Sequence, residues 1–324
     1  MASTQSAHSR GCAPVMLDAL LLVSFGGPQA PDEVMPFLRN VTRGRGVPDT
    51  RLEEVAEHYH RFGGASPIND QNRALLAAIG ADFARHGMST PLYWGNRNWH
   101  PYLADTVAQL RDDGVRTAGA FVTSAYGGYS ACRQYLENIE RARRMVGPGA
   151  PQIVKLPQYA QHEGFLAPHA DALARQLDAI PAERLVTTRV LFCAHSIPTA
   201  ANERGGPTGG LYARQLRATA GLVAQRAAHL LSATMLPWDL VWQSRSGAPS
   251  TPWLEPDISD RLAELAAESV TDVVVSPIGF VSDHVEVLWD LDNEAADTAK
   301  ELGLGYSRAV TPGTDPRFVA MVRE

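Results

Sequence analysis

The sequence predicts an α/β protein of two doubly wound domains whose parallel sheets face each other across a cleft. Three observations predict it. Short apolar runs recur without polar alternation, as for strands covered by helices on both faces. Patterns of helical period separate these runs. Two strand-rich halves meet near residues 155–165 of a 324-residue chain, long enough for two cores.

The opening "MASTQSAHSRGCAPVM" has no apolar run long enough for a signal peptide, so residues 1–16 are expected to be a flexible leader. The first Rossmann-like domain is expected over 17–160. Its strands are "ALLLVSF" (19–25), "PLYWGN" (91–96), "TAGAFVTSA" (117–125) and "QIVKLPQ" (152–158), and its helices are 67–87, 101–113 and 130–145. The second Rossmann-like domain is expected over 161–305. Its strands are "RVLFCAHS" (189–196), "LVWQS" (240–244) and "DVVVSPIGF" (272–280), and its helices are 164–178, 211–231, 257–268 and 284–301. The segment 306–324 is expected to pack back and to end, from about Pro316, in a short, frayed and truncated helix.

Composition narrows the function. Hydrophobic residues are 45% and charged residues 20%, an ordinary globular balance. The net charge of −6 argues against a general nucleic-acid binder. No stretch approaches the roughly 18 apolar residues of a membrane span, and the expected compartment is the cytoplasm. Cys12, Cys132 and Cys193 lie far apart with no CxxC, which reads as reduced thiols.

Ligands of such sheets bind beyond the carboxyl ends of the strands. "SFGGP" (24–28) lacks both GxGxxG and GxxxxGK[ST], so it reads as a tight turn that admits a flat ligand rather than a phosphate loop. His195 ends a strand, where a neutral ring nitrogen can bind a metal or accept a proton. Ser196 beside it lacks the GxSxG elbow of a serine hydrolase. Asp283, Glu286, Asp290 and Glu294 recur at steps of three or four, which places them on one helical face, with Asp292 off the line. Carboxylates four apart repel one another, and hard divalent cations prefer oxygen ligands while imidazole suits iron. An acidic line beside a histidine is therefore expected to hold or pass a divalent cation. Arg43 and Arg45 in "NVTRGRGVP" (40–48) offer guanidinium forks for carboxylates, and "RFGGASP" (61–67) adds Ser66. With the aromatics Phe25, Tyr126 and Tyr135, the set suits a flat, acid-bearing macrocycle and a metal ion.

"LLVSFGGP", "GGASPIN", "AHSIP", "WQSRSGAPSTPWLEPD" and "PIGFVSDHVEVLWDLDNEA" resemble the signature segments of ferrochelatases, from about residue 17 to the end. The likeness is strongest to the coproporphyrin III ferrochelatases of actinobacteria. It implies a two-domain chelatase-type fold and a lyase of heme biosynthesis. That enzyme would insert Fe(II) into coproporphyrin III, release two protons and give coproheme. Fe(II) and porphyrin would be substrates, with no cofactor needed for the chemistry. A monomer is expected, with a coproheme decarboxylase as the downstream partner. The alternatives are a protoporphyrin IX ferrochelatase, a cobaltochelatase, which tends to pair two histidines, and a non-catalytic heme or iron carrier.

Carried over residue by residue, the resemblance makes His195 and Glu286 the catalytic and metal-binding pair. Asp290 and Glu294 become the outer acidic positions, a secondary metal path on a helix the family often widens into a π-turn. Arg43, Arg45, Tyr59, Ser66 and Tyr135 match positions near the porphyrin and its propionates, beside Phe25 and Tyr126. There are departures. Phe25 stands where some relatives have an iron-ligating tyrosine, His58 where some have arginine and Ala131 where some have serine. Cys132 matches the mid-chain ligand of a two-iron, two-sulfur cluster that actinobacterial relatives often carry; its three C-terminal partners do not occur in this chain.

Overall fold

The computed structural model describes residues 16–234, 237–245 and 250–324. The leader expected over 1–16 lies outside them except for Met16, as does part of the "WQSRSGAPSTPWLEPD" segment.

The first sheet holds β1 (Ala19–Ser24), β2 (Leu92–Asn96), β3 (Thr117–Val122) and β4 (Gln152–Lys155), in the order β2-β1-β3-β4, all parallel. The second holds β5 (Thr188–His195), β6 (Trp238–Gln243), β7 (Asp272–Ser276) and β8 (Gly305–Arg308), in the order β6-β5-β7-β8, again parallel. The two sheets share one topology. In each, the chain changes direction of growth at the first strand, β1 or β5. That switch leaves a crevice at the strand's carboxyl end.

The first half carries α1 (Val34–Val41), α2 (Asp49–Arg61), α3 (Ile68–Arg85), α4 (Leu103–Asp112) and α5 (Gln134–Val146). The second carries α6 (Glu163–Asp178), α7 (Ala182–Leu185), α8 (Thr199–Glu203), α9 (Leu211–Leu230), α10 (Ile258–Ala267), α11 (Val285–Trp289), α12 (Ala295–Glu301) and α13 (Pro316–Arg323).

The predicted strands are found within a few residues. β8 was not expected and crosses the boundary drawn at 305. Only four residues long and half-buried, it has no long apolar run to announce it. Nor were α1 and α2 expected. Their buried faces, Val34, Phe37 and Leu38, then Leu52, Ala56 and Tyr59, do follow helical spacing. These helices form a satellite core with Trp99 and with Val285 of the second half.

One apolar core joins both sheets. Leu20, Leu22 and Phe121 of the first share it with Val190, Phe192 and Val274 of the second. α6 is buried nearly all round because it lies in this shared core. The last helix corrects the expectation of fraying. Asp315 caps α13 by accepting the Arg317 N–H at 2.9 Å, and Phe318 is sealed among Phe121, Tyr159 and Phe165.

Candidate active site

The switch strands deliver the two ends of the site. β1 runs out into Phe25 and Gly26. At Gly26 φ is +82°, and a Cβ would stand 2.7 Å from Asn96 Cβ, so the turn demands glycine. β5 runs out into His195. Its Nδ1 lies 2.5 Å from the Ser196 carbonyl oxygen. A carbonyl only accepts, so Nδ1 carries the hydrogen, and in the neutral ring Nε2 holds the lone pair.

Nε2 faces Glu286. The distance to Oε2 is 3.7 Å, and both side chains are part-exposed. Glu286 comes from the first turn of α11, whose N-cap, His284, is fully extended at φ −140°. The His284 ring returns to the same carboxylate, Nδ1 to Oε2 at 3.9 Å. Burial lowers the His284 pKa, against the raising pull of the Glu286 carboxylate. Glu286 is thus flanked by two imidazoles from different elements.

Beyond it the helix widens. Asp290–Glu294 form a π-turn between α11 and α12. Asp290 is half-buried and bonded by Gln243 Nε2 at 3.1 Å and by the Ser244 hydroxyl. Burial, with Glu286, Glu294 and Asp257 nearby, pushes its carboxyl up to about 7 against the opposing Ser244 bond. Asp257, the N-cap of α10, is raised too, by burial first and by Glu294 among its neighbours.

The expected four-carboxylate face needs one correction. Asp283 precedes the helix and does not share its face. Arg308 of β8 binds it at 3.1 Å and, from the same guanidinium, binds Asp292 at 2.6 Å. Two of the five carboxylates in the segment are therefore neutralised by one part-buried arginine. Glu286, Asp290 and Glu294 remain as the line.

A ferrochelatase family model matches residues 17–324. This chain belongs to the ferrochelatase family. Curated relatives agree. It is 55% identical over 311 residues to the coproporphyrin III ferrochelatase of Nocardia farcinica, covering 95% of this chain and 87% of the relative. It is 54% identical over 315 residues to that of Streptomyces coelicolor, covering 95% and 84%. Among solved structures, SirB from Bacillus subtilis with Fe3+ superposes with a TM-score of 0.55 at 12% identity, covering 95% of each chain. That likeness concerns the fold.

For a ferrochelatase, the residues expected to hold the macrocycle divide by burial. Phe25 is 37% exposed and sits edge-on to Phe37. Arg43 and Arg45 are exposed in the turn after α1. Tyr59 and Ser66 are buried; Tyr59 is near enough to Glu286 for that charge to raise its pKa further. Tyr135 is buried beneath the guanidinium of Arg97, which stands 4.4 Å from its ring and 5.6 Å from that of Phe25. Tyr126 is a correction. It is 1% exposed, its ring packs on Phe165 and Tyr212, and its hydroxyl donates to the Ile278 carbonyl at 2.8 Å. It ties the two halves and lines no open surface. His58 is engaged by Trp289, and the Ala131 side chain lies outside the described residues.

Cys132 sits in a second π-turn, Tyr129–Arg133. The other described cysteine, Cys193, is sealed in β5 with its thiol on Gln243 Oε1. A two-iron, two-sulfur cluster takes four protein ligands, and the described thiols do not fit that set.

Sequence reasoning missed Arg97, Gln243 and Asp257 and gave His284 no role. Arg97 directly follows β2 and Gln243 closes β6, so the strand-end rule carried a signal for both.

Proposed function

We propose that the chain inserts Fe(II) into coproporphyrin III, giving coproheme and two protons. The observation that carries this is the His195–Glu286 pair, an imidazole lone pair facing a carboxylate across 3.7 Å at the switch-point end of β5. The relatives named above supply the tetrapyrrole.

Metalation must take two protons from pyrrole nitrogens as iron enters. Once the cation has passed to the macrocycle, the freed lone pair of His195 Nε2 accepts a proton, because its Nδ1 hydrogen is held by the Ser196 carbonyl. The resulting imidazolium is stabilised by Glu286. Glu286 offers oxygen to the incoming cation, and Glu294 and Asp290 extend that affinity outward. The second proton leaves through the same polar line. The exposed Arg43 and Arg45 match carboxylate substituents of a tetrapropionate macrocycle. Among the described residues no helix is long and apolar enough to cross a membrane. The product keeps its propionates, and an enzyme that decarboxylates them is the proposed downstream consumer.

The test is anaerobic mixing of the protein with Fe(II) and either coproporphyrin III or protoporphyrin IX, following the Soret and Q bands against a protein-free control. Metalation of coproporphyrin in preference to protoporphyrin is the expected result. Porphyrin bound by the protein but not metalated would point to a carrier.

A further inference from the structure

Gln243 is bonded to the turn that follows His195 and to the backbone of Glu286. It closes β6 directly opposite His195 in the sheet register. Its backbone carbonyl accepts the Ser196 N–H at 2.8 Å, which anchors the turn that follows His195. Its side chain turns to the acidic helix. Nε2 donates to the Glu286 carbonyl at 3.3 Å and to Asp290 Oδ2 at 3.1 Å, while Oε1 accepts from the Cys193 thiol at 3.4 Å. At 1% exposed, the amide is sealed from any substrate.

The next residue reinforces it. Ser244 is held at φ +59°, in the left-handed region. For a residue with a Cβ this conformation is strained. Glycine would sit there without strain but would lack the hydroxyl. That Oγ bonds Asp290 Oδ2 and accepts from Gln243 Nε2 at 3.3 Å. Strain beside a functional carboxylate, with a polar bond that uses it, marks a fixed orientation rather than a loose loop end.

We infer that Gln243, supported by Ser244, is the positioning residue that fixes the separation of His195 and Glu286 and so decides which divalent metal the pair accepts. The inference rests on the metal-insertion reading of that pair. A cation held tetrahedrally between an imidazole nitrogen and a carboxylate oxygen needs those atoms roughly 3.4 Å apart. The observed 3.7 Å lies within a few tenths of that figure. Metals differing by a tenth of an ångström in bond length are discriminated only if both ligands are held against drift. Gln243 holds the His195 turn by its backbone and the Glu286 helix by its side chain, so the two cannot move apart independently.

The test uses Gln243→Met, which keeps the volume and removes the amide, and Ser244→Gly, which keeps the backbone conformation and removes the hydroxyl. Co(II) binding to the porphyrin-free protein is followed by its visible absorption. The ratio of Fe(II) to Zn(II) insertion is measured at saturating porphyrin. Gln243→Met is expected to weaken Co(II) by about 10-fold or more and to change the Fe/Zn ratio by a similar factor, with the porphyrin KM held. Ser244→Gly should shift both in the same direction by less. Unchanged Co(II) affinity and unchanged Fe/Zn ratio, with only a lower melting temperature, would mean the amide merely packs the strand end and would overturn the inference. Should Gln243→Met fail to fold, Ser244→Gly decides alone, and a Co(II) spectrum and ratio identical to wild type count against the inference. Wild type in the same assay keeps the two readings apart. No insertion by wild type overturns the functional reading, whereas insertion by wild type with indifferent variants overturns only the positioning role.

Discussion

Trp289 lies flat on His58, with ring centroids 3.9 Å apart and planes 8° from parallel. Arg61, one turn along α2, places its guanidinium 5.1 Å from the same indole. Trp289 closes α11, so the stack ties α2 to the helix that carries Glu286. Such a pair contributes about 1 kcal/mol beyond its buried area. His58→Ala is expected to lower unfolding stability by about that amount in a urea titration. If the tie also gates the site, porphyrin dissociation followed by stopped-flow fluorescence should quicken about fivefold. An unchanged off-rate in a destabilised variant would confine the stack to stability.

His195→Ala should lose at least about 100-fold in Fe(II) insertion while porphyrin still quenches protein fluorescence with near wild-type affinity. The base is gone, but the macrocycle rests mainly on other residues. Loss of binding with turnover intact would contradict the role given to Nε2.

Arg308 binds both Asp283 and Asp292, and its side chain is 13% exposed. Arg308→Met would leave the part-buried Asp283 and the solvent-exposed Asp292 unpaired. With Asp292 screened by water, the expected cost is about 1–2 kcal/mol in chemical unfolding. A variant as stable as wild type would show that water replaces the guanidinium.

His169 gives a pH prediction. It is fully buried on α6 beside Phe165, with both ring nitrogens unpartnered. Burial depresses its pKa from 6.5 to about 3. Between those values the unfolded chain binds a proton that the folded chain refuses. Stability is therefore full above pH 6.5 and falls as pH drops toward 3. The contribution amounts to on the order of 5 kcal/mol across the window. His169→Leu should flatten this acid limb relative to wild type when unfolding free energy is compared from pH 7 to 4. Parallel limbs in the two proteins would rule His169 out as the cause.

Much of the fold and the central pair of the site can be read from local pattern. Apolar runs such as "ALLLVSF" and "RVLFCAHS" announce parallel strands because both faces of such strands are covered. The strand-end position of His195 and the helical spacing of Glu286, Asp290 and Glu294 need only a few neighbouring residues to be seen. β8 has no such pattern, and the buried faces of α1 and α2 are spaced like any short amphipathic helix beside a glycine-rich turn.

What the sequence by itself determined was the parallel α/β alternation, the family and the residue types at its center. Tertiary structure decided which of those residues are free to act. Tyr126 and Ile278 are 152 residues apart, and their bond takes the tyrosine out of the site. Arg308 reaches back 25 residues to claim Asp283, and Gln243 reaches 47 residues forward to hold Asp290. Periodicity within a segment records what the backbone repeats over a turn or a pleat. It carries no trace of a partner brought from another strand, and burial and charge pairing are set by such partners.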